Sequence, residues 1–244
     1  MSAPSANGTP TDTCSAARYY LSRGYAPLPL PARRKGPVIP DWPHFRVTPD
    51  EIDRYFSPNG NIGLLLGAAS HGLVDVDLDS PEAIRAAPLL LPPTGMVTGR
   101  ESAPTSHWWY VVTDDPPAKA STEFNDPTPG REDGLVLELR SSGGQTITPP
   151  SVYPAEPDKD HPNPERCVWH RHDEPDRIAI TELLAAVGAV AAAALLGRYW
   201  TRRRNAMACA LSGGLIRAGW TVERVEAFIA AVCAANGQDD DPPN

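Results

Sequence analysis

Three aspartates recur at every second position in Leu73-Val74-Asp75-Val76-Asp77-Leu78-Asp79. Side chains alternate faces along an extended strand, so Asp75, Asp77 and Asp79 project to one side while Val74, Val76 and Leu78 project to the other. The apolar face suits packing on helices. The acidic face crowds carboxylates that repel one another, a cost that a bound cation relieves. Oxygen ligands select hard cations, Mg²⁺ or Mn²⁺. The plain alternative is a solvated strand end with three harmless acids. A second strand, Leu135-Val136-Leu137-Glu138-Leu139-Arg140, sets Glu138 between apolar residues. Beside the aspartates, Glu138 completes a cation cage, and Arg140, on the same face two residues on, reaches a bound phosphate. Otherwise the two form an exposed edge-strand pair. Thr105-Ser106-His107 places hydroxyls and an imidazole just ahead of Trp108-Trp109-Tyr110. That is either a small phosphate-binding station or a hydrogen-bonded histidine at a strand start.

These residues need a frame, and the local signals supply one. Cys14 to Leu21 reads as a short helix stopped at Gly24, followed by Tyr25-Ala-Pro-Leu-Pro-Leu30, which proline holds extended. Thr48-Pro49-Asp50-Glu51 has an N-cap, a proline at the first helical position and a capping-box glutamate, so a helix follows through Phe56. Strands are expected over 61–66, 72–78, 94–98, 107–113, 134–139 and 145–148, with a helix opened by Ser80-Pro81-Glu82 and a proline-rich loop over 116–129. Ser141-Ser142-Gly143-Gly144 is a tight turn, and Pro149-Pro150-Ser151 ends the strand after it. Helices are expected over 181–199 and 205–218 and from Thr221 onward. The fold class is α+β with a small C-terminal helical bundle: a loose tail over 1–13, a main domain over 14–175, and bundle and linker over 176–244.

Composition narrows the function classes. With 22 Lys and Arg against 30 Asp and Glu, the net charge is −8, which argues against a nonspecific DNA coat and leaves room for a local basic site. Arg198, Arg202, Arg203 and Arg204 form the densest basic stretch. They pair with acids such as Glu223 or the Asp239 run, or they grip nucleic-acid phosphates. The four cysteines lack any Cys-x-x-Cys pair, so a reducing compartment is expected and no zinc ribbon. His161, Cys167, His170 and His172 crowd one stretch but read as surface. The first residues lack a basic leader and an apolar segment, and the apolar run Leu183–Leu196 is shorter than the ~18 residues of a membrane span, so a cytoplasmic location and no membrane partner are expected.

The order of the pieces is the discriminating feature. An extended Pro-Leu segment, Lys35-Gly36-Pro37, Asn61-Ile62-Gly63, an Asp-x-Asp strand, a Thr-x-His strand, then Glu138-Leu139-Arg140 with Gly-Gly and Pro-Pro-Ser resembles the bifunctional primase–polymerase domain of the archaeo-eukaryotic primase superfamily, over roughly residues 16 to 175. It also resembles the phage, plasmid and mobile-element branch, in which a helical segment and a helicase often follow. The resemblance implies an RRM-like catalytic core and template-directed nucleotidyl transfer, with about two divalent cations on Asp77, Asp79 and Glu138. Matching Leu78-Asp79-Ser80-Pro81-Glu82-Ala83 makes Asp77 and Asp79 the metal pair and leaves Asp75 as a less certain ligand. Lys35, Thr105, Ser106, His107 and Arg140 become the nucleotide-binding set, and Arg202, Arg203 and Arg204 the DNA-binding candidates. The implied partners are a single-stranded DNA template and primer, NTP or dNTP, and a helicase domain in a longer protein. No structural zinc is expected, since no cysteine lies between Asp79 and Glu138. Two other readings stay open: a catalytically idle DNA-binding module of a replication initiator, which dispersed acids would favour, and a metal-dependent nuclease using the same acids.

Overall fold

The computed structural model describes residues 8–128, 134–157, 161–200 and 204–237, with Arg204 described by its backbone alone. The chain forms two compact units. The first is Met1–Asp75, Thr94–Ser121 and Arg140–Ile178; the second is Val76–Pro93, Thr122–Leu139 and Ala179–Asn244.

In the first unit, α1 (Thr13–Ser22) starts at a reciprocal cap, Asp12 accepting from the Ser15 amide at 2.9 Å while the Ser15 hydroxyl reaches back to Asp12. It ends where Gly24 adopts φ +81°. A three-stranded antiparallel sheet follows the order β1 (Ala26–Leu30), β2 (Asn61–Leu65), β8 (Gln145–Thr148). β1 is an edge strand, which is why it tolerates Pro27 and Pro29 without losing a ladder bond on its open side. The Thr48 cap opens a 3₁₀ turn over Pro49–Glu51 that runs into α2 (Ile52–Tyr55).

A second set of strands in this unit pairs β4 (Met96–Arg100) antiparallel to both β5 (Ala103–Val112) and β10 (Glu165–His172). β10 in turn pairs with β9 (Val152–Tyr153), and β11 (Asp176–Ile178) runs parallel to β5. Trp109, Tyr20, Leu28, Ile62 and Leu64 are among the fully buried side chains of the core, and the Trp109 indole N–H donates to the Thr98 hydroxyl at 2.9 Å. The turn Gly67–Gly72 feeds β3 (Leu73–Asp77). Gly67 and Gly72 have φ of +67° and +89°, and a Cβ on Gly67 would stand 2.1 Å from the Ser142 hydroxyl, so glycine alone fits and the register of the aspartate strand is fixed there.

The second unit holds the end of β3, α3 (Pro81–Leu90), β6 (Ser121–Asn125), β7 (Leu135–Arg140), α4 (Ile180–Arg198), α5 (Arg204–Arg217) and α6 (Val222–Ala235), the outermost residues of β6 and β7 aside. β6 pairs with β7; α3, α4 and α6 pack on one another, and α5 packs on α6. Gly197 lets α4 approach α6, since a Cβ there would lie 2.4 Å from that of Ala235. Arg85 of α3 donates to the carbonyls of Ala234 and Ala235, satisfying the open C-terminal end of α6.

The fold class is therefore α+β: mixed, largely antiparallel sheets followed by three C-terminal helices packing together. Two local expectations are corrected. The 116–129 stretch contains a strand, β6, rather than a continuous loop. The apolar segment expected to be too short for a membrane lies in a 19-residue helix that is long and apolar enough to cross one, while Leu183, Val187, Val190 and four small residues of it are buried within the protein.

Candidate metal centre and the surrounding polar residues

Asp77 is the last residue of β3, and the chain turns at once into α3. The amides of Asp79 and Ser80 both donate to the Val136 carbonyl of β7, at 3.1 and 3.0 Å, and the Ser80 hydroxyl caps α3 by accepting from the Ala83 amide. These bonds tie the strand-to-helix turn to β7 two residues before Glu138. One carboxylate oxygen from each of Asp77, Asp79 and Glu138 then lies within 4.8 Å of the other two, with Asp77 and Glu138 buried and Asp79 exposed. Three like charges this close are costly alone. The donor set is all carboxylate oxygen, which fits a hard divalent cation of the Mg²⁺ or Mn²⁺ type and opens to solvent through Asp79.

Asp75 has different surroundings. It is fully buried in the first unit, and its Oδ2 accepts from the Thr146 hydroxyl at 2.8 Å and from His107 Nδ1 at 3.0 Å. A carboxylate accepts only, so the Nδ1 proton of His107 points at Asp75. His107 Nε2 lies 3.2 Å from the Tyr153 hydroxyl, which accepts from the Cys167 thiol at 3.8 Å. Burial, opposed by that hydrogen bond, pushes the Cys167 thiol up to about 12. Asp75 is thus not among the gathered carboxylates with which the sequence reading had grouped it; its partners are a hydroxyl and an imidazole.

A family model described as the bifunctional DNA primase/polymerase, N-terminal domain matches residues 17–183. The chain belongs to this family. No curated protein matches it.

Among the remaining residues singled out for a primase–polymerase domain, Lys35 pairs with Glu156 at 2.5 Å. Arg100 reaches the same carboxylate at 3.6 Å and lies 4.8 Å over the Tyr153 ring. Two cations sharing one acid leave a net positive charge. Ser106 is buried at the start of the apolar part of β5; Thr105, half-buried, lends its carbonyl to the Trp108 indole at 3.0 Å. Arg140 is half-buried at the end of β7. Arg100, Tyr153 and Glu156 escaped the sequence reading, because they are separated from Lys35 and His107 by tens of residues and each sits in an unremarkable local pattern.

Arg202 and Arg203 lie outside the described residues, as does the Asp239 run, and of Arg204 only the backbone is described. Arg198 has partners other than Glu223: it binds Glu82 of α3 at 3.0 Å and Asp126 at 2.8 Å. Tyr199 and Thr128 also donate to Asp126. Burial raises the Asp126 carboxyl's proton affinity, but the hydrogen bonds, that of Arg198 foremost, outweigh it and hold the group well below the usual carboxylate range. Glu82 is lowered by the same balance of burial against Arg198.

Proposed function

We propose that this chain is a DNA primase and polymerase that extends a primer by template-directed nucleotidyl transfer, in the replication of a phage, plasmid or mobile element, in the cytoplasm and with a helicase domain in a longer protein. The observation that carries the reading is the gathering of Asp77, Asp79 and Glu138 within 4.8 Å in a chain of the primase/polymerase family. Gathered acids also speak against an idle DNA-binding module, which needs none.

Asp77, Asp79 and Glu138 would hold the divalent cation, which supplies Lewis acidity for the attacking hydroxyl and for the triphosphate. The protein's own groups bind and orient the substrate. Lys35, Thr105, Ser106, His107 and Arg140 form the phosphate-binding set, since hydrogen bonds to charged oxygens in a shielded site are stronger than neutral ones. Asp75 and Tyr153 fix the imidazole of His107 from both ring nitrogens, so its orientation is set before substrate arrives. The Lys35, Arg100 and Glu156 group keeps a net positive charge that favours a triphosphate.

The test is incorporation of labelled NTP or dNTP on single-stranded templates, with and without a primer, in Mg²⁺ and in Mn²⁺. Templated extension that disappears in the Asp77→Ala, Asp79→Ala double variant supports the reading. Cleavage of the template without incorporation would replace it with a nuclease.

A further inference from the structure

The first unit has a groove of about 450 Å³ that none of these roles uses. It is lined by residues of three segments, among them Pro29 and Pro31 at the end of β1, Val38 and Ile39 in the loop that follows, and Arg54 and Tyr55 of α2. Its volume is in the range of small-ligand sites, roughly 300–1,000 Å³. Val38 is 65% exposed and Tyr55 38%, so the groove leaves apolar and aromatic surface in water. The lining is preformed. Proline fixes the backbone at residues 29 and 31, and Phe45 buttresses the Tyr55 ring edge-on, with centroids 5.2 Å apart at 81°. Less conformational entropy is then lost when something binds.

Charge selects the occupant. The Arg54 guanidinium lies 5.2 Å from the Tyr55 ring centroid, and Arg33 and Arg34, both exposed, follow directly on the lining residues Pro31 and Ala32. The nearby acids are engaged: Asp53 with Arg18 at 2.7 Å, Glu51 with Thr48 at 2.7 Å and Asp41 with His44 at 2.7 Å. A chain of net charge −8 therefore turns a basic rim around an exposed aromatic ring. An aromatic face with adjoining arginines is the arrangement that stacks unpaired bases and holds the phosphates beside them.

We propose that this groove binds an unpaired nucleobase of single-stranded DNA, the base stacking on Tyr55 and its flanking phosphates meeting Arg54, Arg33 and Arg34. The inference rests on the reading of the chain as a DNA polymerase, and it adds a contact point for the strand outside the metal-binding and phosphate-binding residues. A thymine-only oligonucleotide is a suitable probe, because stacking needs no particular base.

The experiment measures anisotropy of fluorescein-labelled oligo(dT) with the full chain. Tyr55→Ala weakens binding about ten-fold, Tyr55→Trp preserves it, and Arg54→Ala lowers the slope of log affinity against log salt by about 0.7. Nucleotide affinity is the same in all of them. An oligonucleotide carrying 5-iododeoxyuridine, irradiated on the unmutated protein, crosslinks to Tyr55 or its groove neighbours. Unchanged oligo(dT) affinity in Tyr55→Ala, or a crosslink mapping away from the groove, overturns the proposal, as does preferential binding of a proline-rich peptide over oligo(dT). The two readings fail separately. A protein that binds and crosslinks oligo(dT) through Tyr55 but incorporates no nucleotide keeps the groove and loses the polymerase. One that incorporates nucleotide while Tyr55→Ala leaves binding unaltered loses the groove alone.

Discussion

Asp75 and Asp77 leave one strand two residues apart, where the pleat points them to the same face, yet they meet opposite surroundings. Asp75 is sealed from water among donors, a threonine hydroxyl and a histidine N–H. Asp77 is gathered with two other carboxylates, one of them exposed. Glu82 and Asp126 form a third arrangement, in which acids of the second unit are clasped by Arg198. A carboxylate whose donors or counter-charge are built into the chain belongs to the architecture. Carboxylates collected on one another, with a route to solvent, await a cation from outside. The alternating pattern of the sequence treats all three aspartates of the strand alike, and their neighbours separate them.

The sharpest way to break this comparison is to replace the gathered acids. Asp77→Ala with Asp79→Ala should lower nucleotide incorporation on the order of a thousand-fold or more, because the cation and everything it stabilises are lost together. Thermal stability without metal should stay the same or rise, since like charges are being removed. A large fall in melting temperature would show that these acids are structural, and the distinction from Asp75 would collapse.

The next effect concerns Arg198, and it is one of stability. The Arg198 side chain is 13% exposed and that of Asp126 fully buried, unlike the surface pair Arg18–Asp53 at 47% and 74%. Surface pairs contribute little, whereas removing one partner of a buried pair leaves a charge without compensation. Arg198→Leu should lower the melting temperature at pH 7 by on the order of ten degrees, and Arg18→Leu by a degree or two. The pH dependence has a definite sign. Glu82 and Asp126 are both held below their ordinary values of 4.5 and 3.8, so their contribution is complete above those values and is lost as pH falls through the lower folded ones. The gap between the original protein and Arg198→Leu should therefore narrow as the melts are repeated from pH 7 toward pH 3. A gap that stays constant would assign the loss to packing of the arginine stem.

A smaller effect is expected at His107. Replacing it with Ala should raise KM for the incoming nucleotide about ten-fold while template affinity in the anisotropy assay is unchanged. Equal losses in both would mean that the imidazole supports the fold of the first unit and does not contact phosphate.

The candidate site was legible where the signal is local and periodic. The alternation through Asp79, the apolar bracket around Glu138 and the Ser80-Pro81 cap are all short-range, and the acids they place do gather. The proline-bearing edge strand and the capped turn at Thr48 were legible for the same reason. β10 was not: of its eight residues Cys167 alone is buried, so the strand is held by pairing with β4 and not by an apolar face that would leave an alternating trace. The clasp of Arg198 on Glu82 and Asp126 spans 116 and 72 residues, and the partners of Asp75 lie 32 and 71 residues away. No spacing rule reaches so far.

The smallest effect probes whether the Asp75 group is as closed as its burial implies. Cys167 sits at the outer end of the chain that runs through Tyr153 and His107 to Asp75, so its thiol reports on water reaching that chain. With the thiol pushed up to about 12, only about one molecule in ten thousand is thiolate at pH 8, and the thiolate is the form that attacks a disulfide reagent. Cys14 is also buried and raised, its thiol donating to the Phe56 carbonyl at 3.4 Å. Cys209 and Cys233, on helices of the second unit, are exposed. Titration of the folded protein with an aromatic disulfide at pH 8 should label Cys209 and Cys233 within minutes and leave Cys14 and Cys167 until denaturant is added. Tyr153→Phe removes a hydrogen bond but no bulk, so Cys167 should remain slow in it. Rapid labelling of Cys167 in the folded protein would show that solvent enters the histidine chain, and Asp75 would then stand closer to the open carboxylates than its hydrogen bonds suggest.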